Sequence, residues 1–197
     1  LGLSISTLTL VNGTSFTLSA SSTLRVSNLT LSYGTSGTLG TGSNIVASGV
    51  FSMWGSSFGS ASLSTSGTAT INATTFIMGK NTLLDGTGGG YAASTTPYGT
   101  IPATTPPAGG AHAGCGGQQA FATPCAVLAN GGSFGSVYAP TMMGSGGQSS
   151  GATGGAGGGV IIINVSGTAV LNGTIQANGA GGGNGGGTYN YAGGGGA

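Results

Sequence analysis

The chain is built from short runs in which apolar and hydroxyl side chains alternate, and nearly every run stops at Gly, Ser or Asn. The clearest example is residues 4–10, where Ile5, Leu8 and Leu10 are separated by Ser and Thr. Alternation of period two places apolar side chains on one face of a strand and polar side chains on the other. No stretch has the periodicity and capping residues of a helix. The sequence therefore predicts an all-β protein.

Short apolar-hydroxyl runs recur through the first part of the chain and return near its end, at residues 4–10, 16–18, 23–26, 28–31, 50–54, 68–71, 75–78, 160–165, 168–171 and 174–177. Stacked as rungs of a solenoid, such strands bury Leu, Ile and Val against the turns above and below, while Ser and Thr face outwards. We therefore predict a parallel β-helix. The alternative is a β-sandwich, since Asn-Gly pairs at 12–13, 130–131, 172–173 and 178–179 also suit hairpins.

Glycine divides the chain into unequal parts, because only 13 of the 46 Gly residues fall within residues 1–88. Residues 1–88 are predicted to form Ser/Thr-rich solenoid rungs. Residues 89–159, with all six prolines, are predicted to form a Gly/Pro-rich loop excursion packed on the solenoid. Residues 160–197 are predicted to hold the closing rungs, as successive faces of one coil, and a Gly tract. We expect one structural unit, which is a fragment of a longer chain.

Charged side chains are almost absent: Arg25, Lys80 and Asp85 are the whole set, or 2% of the chain. A typical soluble domain is roughly a quarter charged. Glycosidase chemistry needs two carboxylates, a calcium or magnesium cage needs several, and nucleic-acid binding needs a basic surface. We expect no catalysis and no nucleic-acid partner. We also expect no membrane span, because no run approaches 18 apolar residues.

One catalytic motif occurs, and its presence follows from composition. The pattern G-x-S-x-G appears at residues 55–59, 131–135 and 147–151. Ser and Gly are abundant, so matches arise by chance, and a triad would require His112 and Asp85 without a strand–elbow–helix context. Met53, Trp54 and Phe58 are interpreted as core residues or as a contact between subunits.

Five N-x-Ser/Thr sequons offer a means of hydrating a surface without charge. They begin at Asn12, Asn28, Asn72, Asn164 and Asn172, and we expect them to carry N-linked glycans. Exposed hydroxyls and amides are the alternative source of hydration. Candidate O-glycosylation positions in the Thr/Pro-rich stretch are Thr95, Thr96, Thr104 and Thr105. No cofactor is expected beyond covalent glycans.

The two cysteines, Cys115 and Cys125, lie ten residues apart in the Gly/Pro-rich part. A disulfide closing this short loop fits an extracellular protein. A metal pair completed by His112 is the alternative, but a structural zinc site requires four ligands. The disulfide and the sequons both indicate an oxidising, secretory route.

The last part of the chain has a distinctive order of elements. Residues 111–117 form a His-Gly-rich segment, residues 154–163 a Gly string ending in Val-Ile-Ile-Ile, and Val-Ser-Gly-Thr and Leu-Asn-Gly-Thr-Ile follow at 165–168 and 171–175. Over roughly residues 86–197 this order resembles a repeat of very large glycine-rich secreted and cell-surface proteins of protists. Residues 1–85 resemble the hydroxyl-rich β-solenoid stretches upstream of that repeat.

The resemblance implies a non-catalytic structural glycoprotein of an extracellular fibre or flagellar-hair-like surface appendage. Its partners would be copies of itself or neighbouring repeats of the same parent chain, packed end to end or laterally. The alternative function is an adhesive module that binds carbohydrate or ice, with polysaccharide as partner. No active site is carried over from the family.

Overall fold

The computed structural model describes residues 5–97, 99–100, 135–136, 138–147, 149 and 153–182. Within these residues the structure contains strands and no helix. The strands are β1 (Ile5–Leu10), β2 (Ser15–Leu18), β3 (Thr23–Leu31), β4 (Ser36–Leu39), β5 (Ser43–Met53), β6 (Ala61–Thr65), β7 (Thr68–Met78), β8 (Thr82–Asp85), β9 (Thr95–Thr96), β10 (Gly99–Thr100), β11 (Val160–Leu171) and β12 (Thr174–Gln176).

Ten of the twelve strands alternate between two five-stranded sheets, and β9 and β10 form a separate two-stranded antiparallel sheet. Sheet A has the order β1-β3-β5-β7-β11 and sheet B the order β2-β4-β6-β8-β12. The pairs from β1 to β7 in sheet A and all pairs in sheet B are parallel. A chain that alternates between two parallel sheets is a β-solenoid, so the predicted fold is confirmed and the β-sandwich alternative is wrong. The Asn-Gly pairs at 12–13 and 172–173 form corners between the sheets, not hairpins.

The turns of the solenoid repeat at a fixed length where the corners are short. Ile5 lies opposite Val26 and Val26 opposite Ala47, so each of these turns takes 21 residues. Ala47 lies opposite Ala73, 26 residues later, because the turn between them contains the longer corner at residues 54–60. The 21-residue period also places left-handed backbone at equivalent corners, with positive φ at Gly13 and Gly34.

The core consists of apolar columns that run across the strands. In sheet A one column contains Leu8, Leu29, Phe51 and Phe76, and a second contains Leu10, Leu31, Met53 and Met78. In sheet B the facing column contains Phe16, Gly37, Leu63 and Leu84. Side chains in the middle of these columns are fully buried. Burial at roughly 25 cal/mol per Å² of apolar area makes the columns the main stabilising element.

Several predicted strand boundaries are wrong. Residues 23–26 and 28–31 form one strand, β3, whose register against β5 shifts at a bulge between Val26 and Leu29. Residues 160–165 and 168–171 likewise form the single strand β11, so they are not two faces of a coil. The strands β4, β6 and β8 are not predicted from the sequence, because their few apolar residues alternate with Gly, Ser and Asp over only four or five positions.

The chain divides into two compact units. The first contains the described residues of Leu1–Thr65, Ala69–Asp85 and Ile161–Gln176, and the second those of Ser66–Thr68, Gly86–Val160 and Ala177–Ala197. In the second unit, backbone N–H groups of one Gly-rich segment donate to carbonyls of another, as from Gly90 to Gly157 (2.8 Å) and from Tyr91 to Gly144 (2.9 Å). A Cβ atom at Gly157 would collide with the Gly144 carbonyl oxygen, so this packing requires glycine.

Candidate functional site

Two of the sequon asparagines lie at exposed corners of the solenoid. Asn12 follows β1 and has a φ of 56°, in the left-handed region that Asn tolerates better than most residues. Asn172 follows β11, and its backbone N–H donates to the Met78 carbonyl at 2.8 Å. Both side chains are exposed, so both have room for a covalent glycan.

The other three sequon asparagines take part in hydrogen bonds across sheet A. Asn164 Nδ2 donates to Asn72 Oδ1 and Asn72 Nδ2 donates to Asn44 Oδ1, each at 2.9 Å. This asparagine ladder joins β11, β7 and β5. Asn28 Oδ1 accepts the backbone N–H of Val50 at 3.0 Å, beside the bulge. Asn28 and Asn72 are half-buried and Asn164 is exposed.

The remaining predicted modification sites fall mostly outside the described residues. Thr104, Thr105, Cys115 and Cys125 lie there, as does His112, so the disulfide stays a prediction. Thr95 and Thr96 are half-buried in β9. The Thr95 hydroxyl donates to the Ala92 carbonyl at 2.6 Å. That hydroxyl therefore already closes a local turn.

The three residues interpreted as core or contact have different environments. Met53 is fully buried in a core column, whereas Trp54 is 48% exposed and Phe58 is 98% exposed. Trp54 lies over Gly79, where a Cβ atom would be 2.7 Å from Trp54 Cε3. The core interpretation is therefore right for Met53, whereas Trp54 and Phe58 lie outside the core, and for them a contact between subunits stays a prediction.

Phe58 lies at the tip of a hydrogen-bonded turn, not on a loose loop. Ser56 and Gly59 exchange backbone hydrogen bonds of 2.8 and 3.4 Å, and the Phe58 N–H donates to Ser56 Oγ at 3.1 Å. Asn81 Nδ2 donates to the Ser56 carbonyl at 3.2 Å. The Gly34 N–H donates to the Ser60 carbonyl at 2.9 Å. The turn is therefore held by both neighbouring turns of the solenoid.

This turn forms one wall of a surface groove, here called the corner groove. Its volume is about 670 Å³, and it is lined by Ser56, Ser57, Phe58, Gly59, Ser60, Asn81, Thr82, Leu83, Thr174 and Gln176. None of the lining side chains is charged. Gln176 Nε2 donates to Asp85 Oδ1 at 3.2 Å, which orients the glutamine amide. The groove thus combines one exposed aromatic ring with several hydroxyl and amide groups.

The outer face of sheet B carries a regular array of hydroxyls, here called the hydroxyl grid. Ser15, Ser36 and Ser62 form one row across β2, β4 and β6, and Thr17, Thr38 and Ser64 form a second. Parallel strands separate neighbours within a row by about 4.8 Å, and two residues of rise separate the rows by about 6.6 Å. The repeated Ser-x-Thr unit at 15–17 and 36–38 is the 21-residue signal that could have identified this face.

The solenoid ends in strands whose outer edges pair with no other strand among the described residues, β1 and β2 at one end and β11 and β12 at the other. The core columns become exposed at these ends. Leu10 and Phe16 are half-buried at the first end. At the second end Leu171 is 55% exposed and Ile175 is 41% exposed.

Leu171 and Ile175 continue the same columns that Leu10 and Phe16 begin. Ile175 lies opposite Leu84. In the column that begins with Leu10, the backbone N–H immediately after each member donates to the carbonyl of the member one turn earlier. Asn172, which immediately follows Leu171, donates in the same way to the carbonyl of Met78, so Leu171 is the next member of this column. Within the part of the chain that the structure describes, each column therefore ends in a partly exposed apolar residue on both sides.

Comparison with protein families, curated proteins and solved structures finds no match to this chain. Within the part of the chain that the structure describes, no helix has the length and apolar content needed to cross a membrane.

Proposed function

We propose that this chain is a non-catalytic structural unit of an extracellular or cell-surface fibre, in which copies stack head to tail through the ends of the solenoid. The observation that carries the proposal is that, among the described residues, each core column continues to a partly exposed apolar residue at both ends. A second copy would place its Leu10 on Leu171 and its Phe16 on Ile175, as one turn lies on the next within the chain.

An open end of a solenoid leaves backbone hydrogen-bonding groups unpaired and apolar side chains in water. An edge strand presents unpaired N–H and C=O groups and favours addition of another strand. The end of a solenoid also leaves apolar area in water that a further turn would bury. Neither end carries a charge that would oppose pairing, since Arg25, Lys80 and Asp85 lie in inner turns. Contact between two different ends does not close on itself and generates a filament.

The proposed extracellular location and N-glycosylation are supported by the low charge of the sequence and by the exposure of two sequon asparagines. A surface with three charges requires another source of solubility. The exposed sequons at Asn12 and Asn172 lie at corners between the two sheets, outside the strands themselves. We take the parent protein to be one of the large glycine-rich secreted proteins of protists, and neighbouring repeats of that parent would stack by the same contact.

Sedimentation velocity over a concentration series, with negative-stain electron microscopy of the same samples, tests the fibre proposal. The wild-type chain should form unbranched rods that lengthen with concentration. Leu171→Asp should remain monomeric, because it places a carboxylate in the contact. Phe58→Asp is the matched control, since it puts the same charge on an exposed apolar residue of an inner turn and should leave rods unchanged. A wild-type chain that is monomeric throughout would contradict the proposal.

The hydroxyl grid favours a second candidate function, binding to a regular hydrogen-bonding surface such as ice. Its six hydroxyl side chains lie on three paired strands, and five of the six are exposed. Because the hydroxyl grid is uncharged and repeats at fixed spacings in two directions, it is better suited to binding a crystalline surface than to binding a flexible ligand.

Thermal hysteresis measured on a cold stage tests the ice-binding candidate. The wild-type chain should depress the freezing point below the melting point. Thr38→Tyr should abolish the difference by placing a ring in the middle of the grid. Thr23→Tyr, at an exposed position of sheet A, is the control. Equal freezing and melting points in the wild-type chain would eliminate this candidate.

A further inference from the structure

Phe58 is an aromatic ring that the fold holds in water. The side chain is 98% exposed, although the turn that carries it is fixed by hydrogen bonds from Asn81, from its own Ser56–Gly59 pair and from the neighbouring corner at Gly34. A single exposed apolar residue on a loose loop is common on protein surfaces. A large ring displayed on a rigid turn beside a groove has the arrangement of a stacking platform.

The polar side chains that line the corner groove together with Phe58 are all neutral. Asn81 uses one amide hydrogen on the Ser56 carbonyl, and Gln176 uses one on Asp85. The rest of each amide is left for a ligand, as are the hydroxyls of Ser57, Ser60 and Thr174. The buried Thr82 hydroxyl is already used, because it donates to the Gly79 carbonyl at 2.8 Å.

We propose that the corner groove binds a neutral polysaccharide, with one sugar ring stacked on Phe58 and the sugar hydroxyls hydrogen-bonded to Asn81, Thr174 and Gln176. The apolar face of a pyranose ring matches an aromatic face, and its edge carries hydroxyls that suit amide and hydroxyl partners. Specific sites typically combine an aromatic or apolar surface with a few placed polar groups in about 300–1,000 Å³. The groove has a comparable volume, about 670 Å³, but is wide open to solvent, which suits a long polymer lying across the surface better than an enclosed small molecule.

The absence of charge in the lining argues against an anionic polymer or a charged peptide. Such ligands are recognised by ion pairs and charge-assisted hydrogen bonds, and no lining residue provides a cation. The carboxylate of Asp85, which holds Gln176, would repel an anionic chain. A neutral polymer carries no such penalty.

The orientation of Gln176 is part of the proposed site. Its side chain lies on β12 and its partner Asp85 on β8, so the contact spans two neighbouring strands of sheet B. Asp85→Asn would keep the size of the partner but would weaken the bond that fixes the amide. We therefore treat Asp85 as a positioning residue and Gln176 as a contact residue.

Frontal affinity chromatography, which does not depend on the charge of the protein, tests the site, with laminarin, hydroxyethyl cellulose, dextran and, as the anionic comparison, alginate immobilised on separate columns. Wild-type protein should be retarded by at least one neutral polymer and not by alginate. Phe58→Ala should weaken retardation about tenfold or more, the size of loss typical when an aromatic anchor is truncated. Phe58→Trp should restore it.

Two further variants distinguish sugar binding at Phe58 from retardation caused by any exposed ring or by self-assembly. Tyr138→Ala removes an aromatic ring that is 97% exposed in the second unit, and should leave retardation unchanged. Leu171→Asp should bind sugar as well as wild type does, so failure of the fibre proposal would leave this test intact. Retardation that survives Phe58→Ala, retardation by alginate alone, or no retardation by any of the polymers would overturn the proposal.

Discussion

Phe51 of β5 and Phe76 of β7 lie opposite each other in sheet A, with ring centroids 5.3 Å apart and ring planes inclined by 58°. Both side chains are fully buried. Tilted aromatic pairs at such distances contribute about 0.5–1.5 kcal/mol beyond the apolar area that they bury. The pair therefore couples two neighbouring turns of the solenoid through a contact more specific than aliphatic packing.

Truncation of either ring should destabilise the solenoid strongly. We expect Phe76→Ala and Phe51→Ala each to lower the free energy of unfolding by about 3–5 kcal/mol, because each leaves a cavity in a closed column. The double variant should lose about 0.5–1.5 kcal/mol less than the sum, since the pairwise contact is lost only once. Urea titration followed by far-UV circular dichroism measures all three.

Phe58→Ala is the control for these variants, because the same side chain is removed from an exposed position. Its free energy of unfolding should stay within about 0.5 kcal/mol of wild type. Additive losses in the double variant would contradict a direct contact between Phe51 and Phe76, and a loss of several kcal/mol in Phe58→Ala would contradict the exposed position of Phe58.

Because Gly37 has no side chain, the Phe16 ring can occupy the space at this position of the sheet B column. A Cβ atom there would lie 2.5 Å from Leu63 Cδ1 and would collide with the Phe16 ring. We expect Gly37→Val to lower the free energy of unfolding by about 1–3 kcal/mol through overpacking. Much of the loss should be recovered in Gly37→Val combined with Phe16→Leu. No recovery would indicate that the contact with Leu63, which Phe16→Leu leaves in place, is what requires glycine at this position.

The asparagine ladder should contribute measurably to stability. Asn72→Ala removes the donor to Asn44 and the acceptor for Asn164, and a hydrogen bond contributes about 0.5–1.5 kcal/mol net. We therefore expect a loss of about 1–3 kcal/mol in unglycosylated protein, measured by chemical denaturation. Asn172→Ala, at an exposed corner, should change stability by less than about 0.5 kcal/mol. Equal effects at both positions would rule out the ladder.

Exposure predicts which sequons carry glycans in native material. Asn12 and Asn172 should be occupied, because both side chains are exposed at corners. For Asn72 this replaces the expectation from the sequence: the residue should be unmodified, because its half-buried amide lies in the middle of the ladder. Glycopeptide mass spectrometry before and after enzymatic deglycosylation distinguishes the sites. Full occupancy at Asn72 together with bare Asn12 would show that exposure does not govern modification here.

The outer edge of β1 provides a test of stacking that spares the fold. The Leu10 carbonyl accepts from Ser32 on the β3 side, and alternate residues of a strand face opposite edges. The Thr9 N–H therefore faces outwards. Thr9→Pro should keep a folded monomer, since proline is tolerated at an edge, but should prevent rods seen by electron microscopy. Thr9→Val, which keeps the N–H, should still assemble. Rods of normal length in Thr9→Pro would exclude pairing through this edge.

The strands that could be predicted from the sequence are those with a clear local pattern of apolar and polar side chains. Residues 4–10 are recognisable as a strand because Ile5, Leu8 and Leu10 recur at every second or third position, and residues 75–78 because Phe76, Ile77 and Met78 form a short apolar run. The glycine-rich and hydroxyl-rich strands lack this signal. In β4 the sequence Ser-Gly-Thr-Leu contains one large apolar residue, and it becomes a strand because β2 and β6 pair with it on both sides.

The candidate sites also divide into features that the sequence predicts and features that only the stacking of turns creates. Composition alone argues against functions that depend on charged side chains, and the sequons can be identified directly from the sequence. The corner groove is not predictable in this way, because Phe58, Asn81 and Gln176 are brought together only by the stacking of turns that are distant in the sequence. A buried and an exposed aromatic residue have the same local sequence signature, so the sequence does not distinguish Phe58 from a core residue.

By itself, the sequence determined that this protein is all-β, nearly uncharged and solenoid-forming, because alternation and composition act locally on each strand. The tertiary structure alone decided the register of the columns, the hydroxyl grid, the asparagine ladder and the groove beside Phe58. Each of these depends on which residues face one another across turns, and that register is set by the summed packing of the whole column.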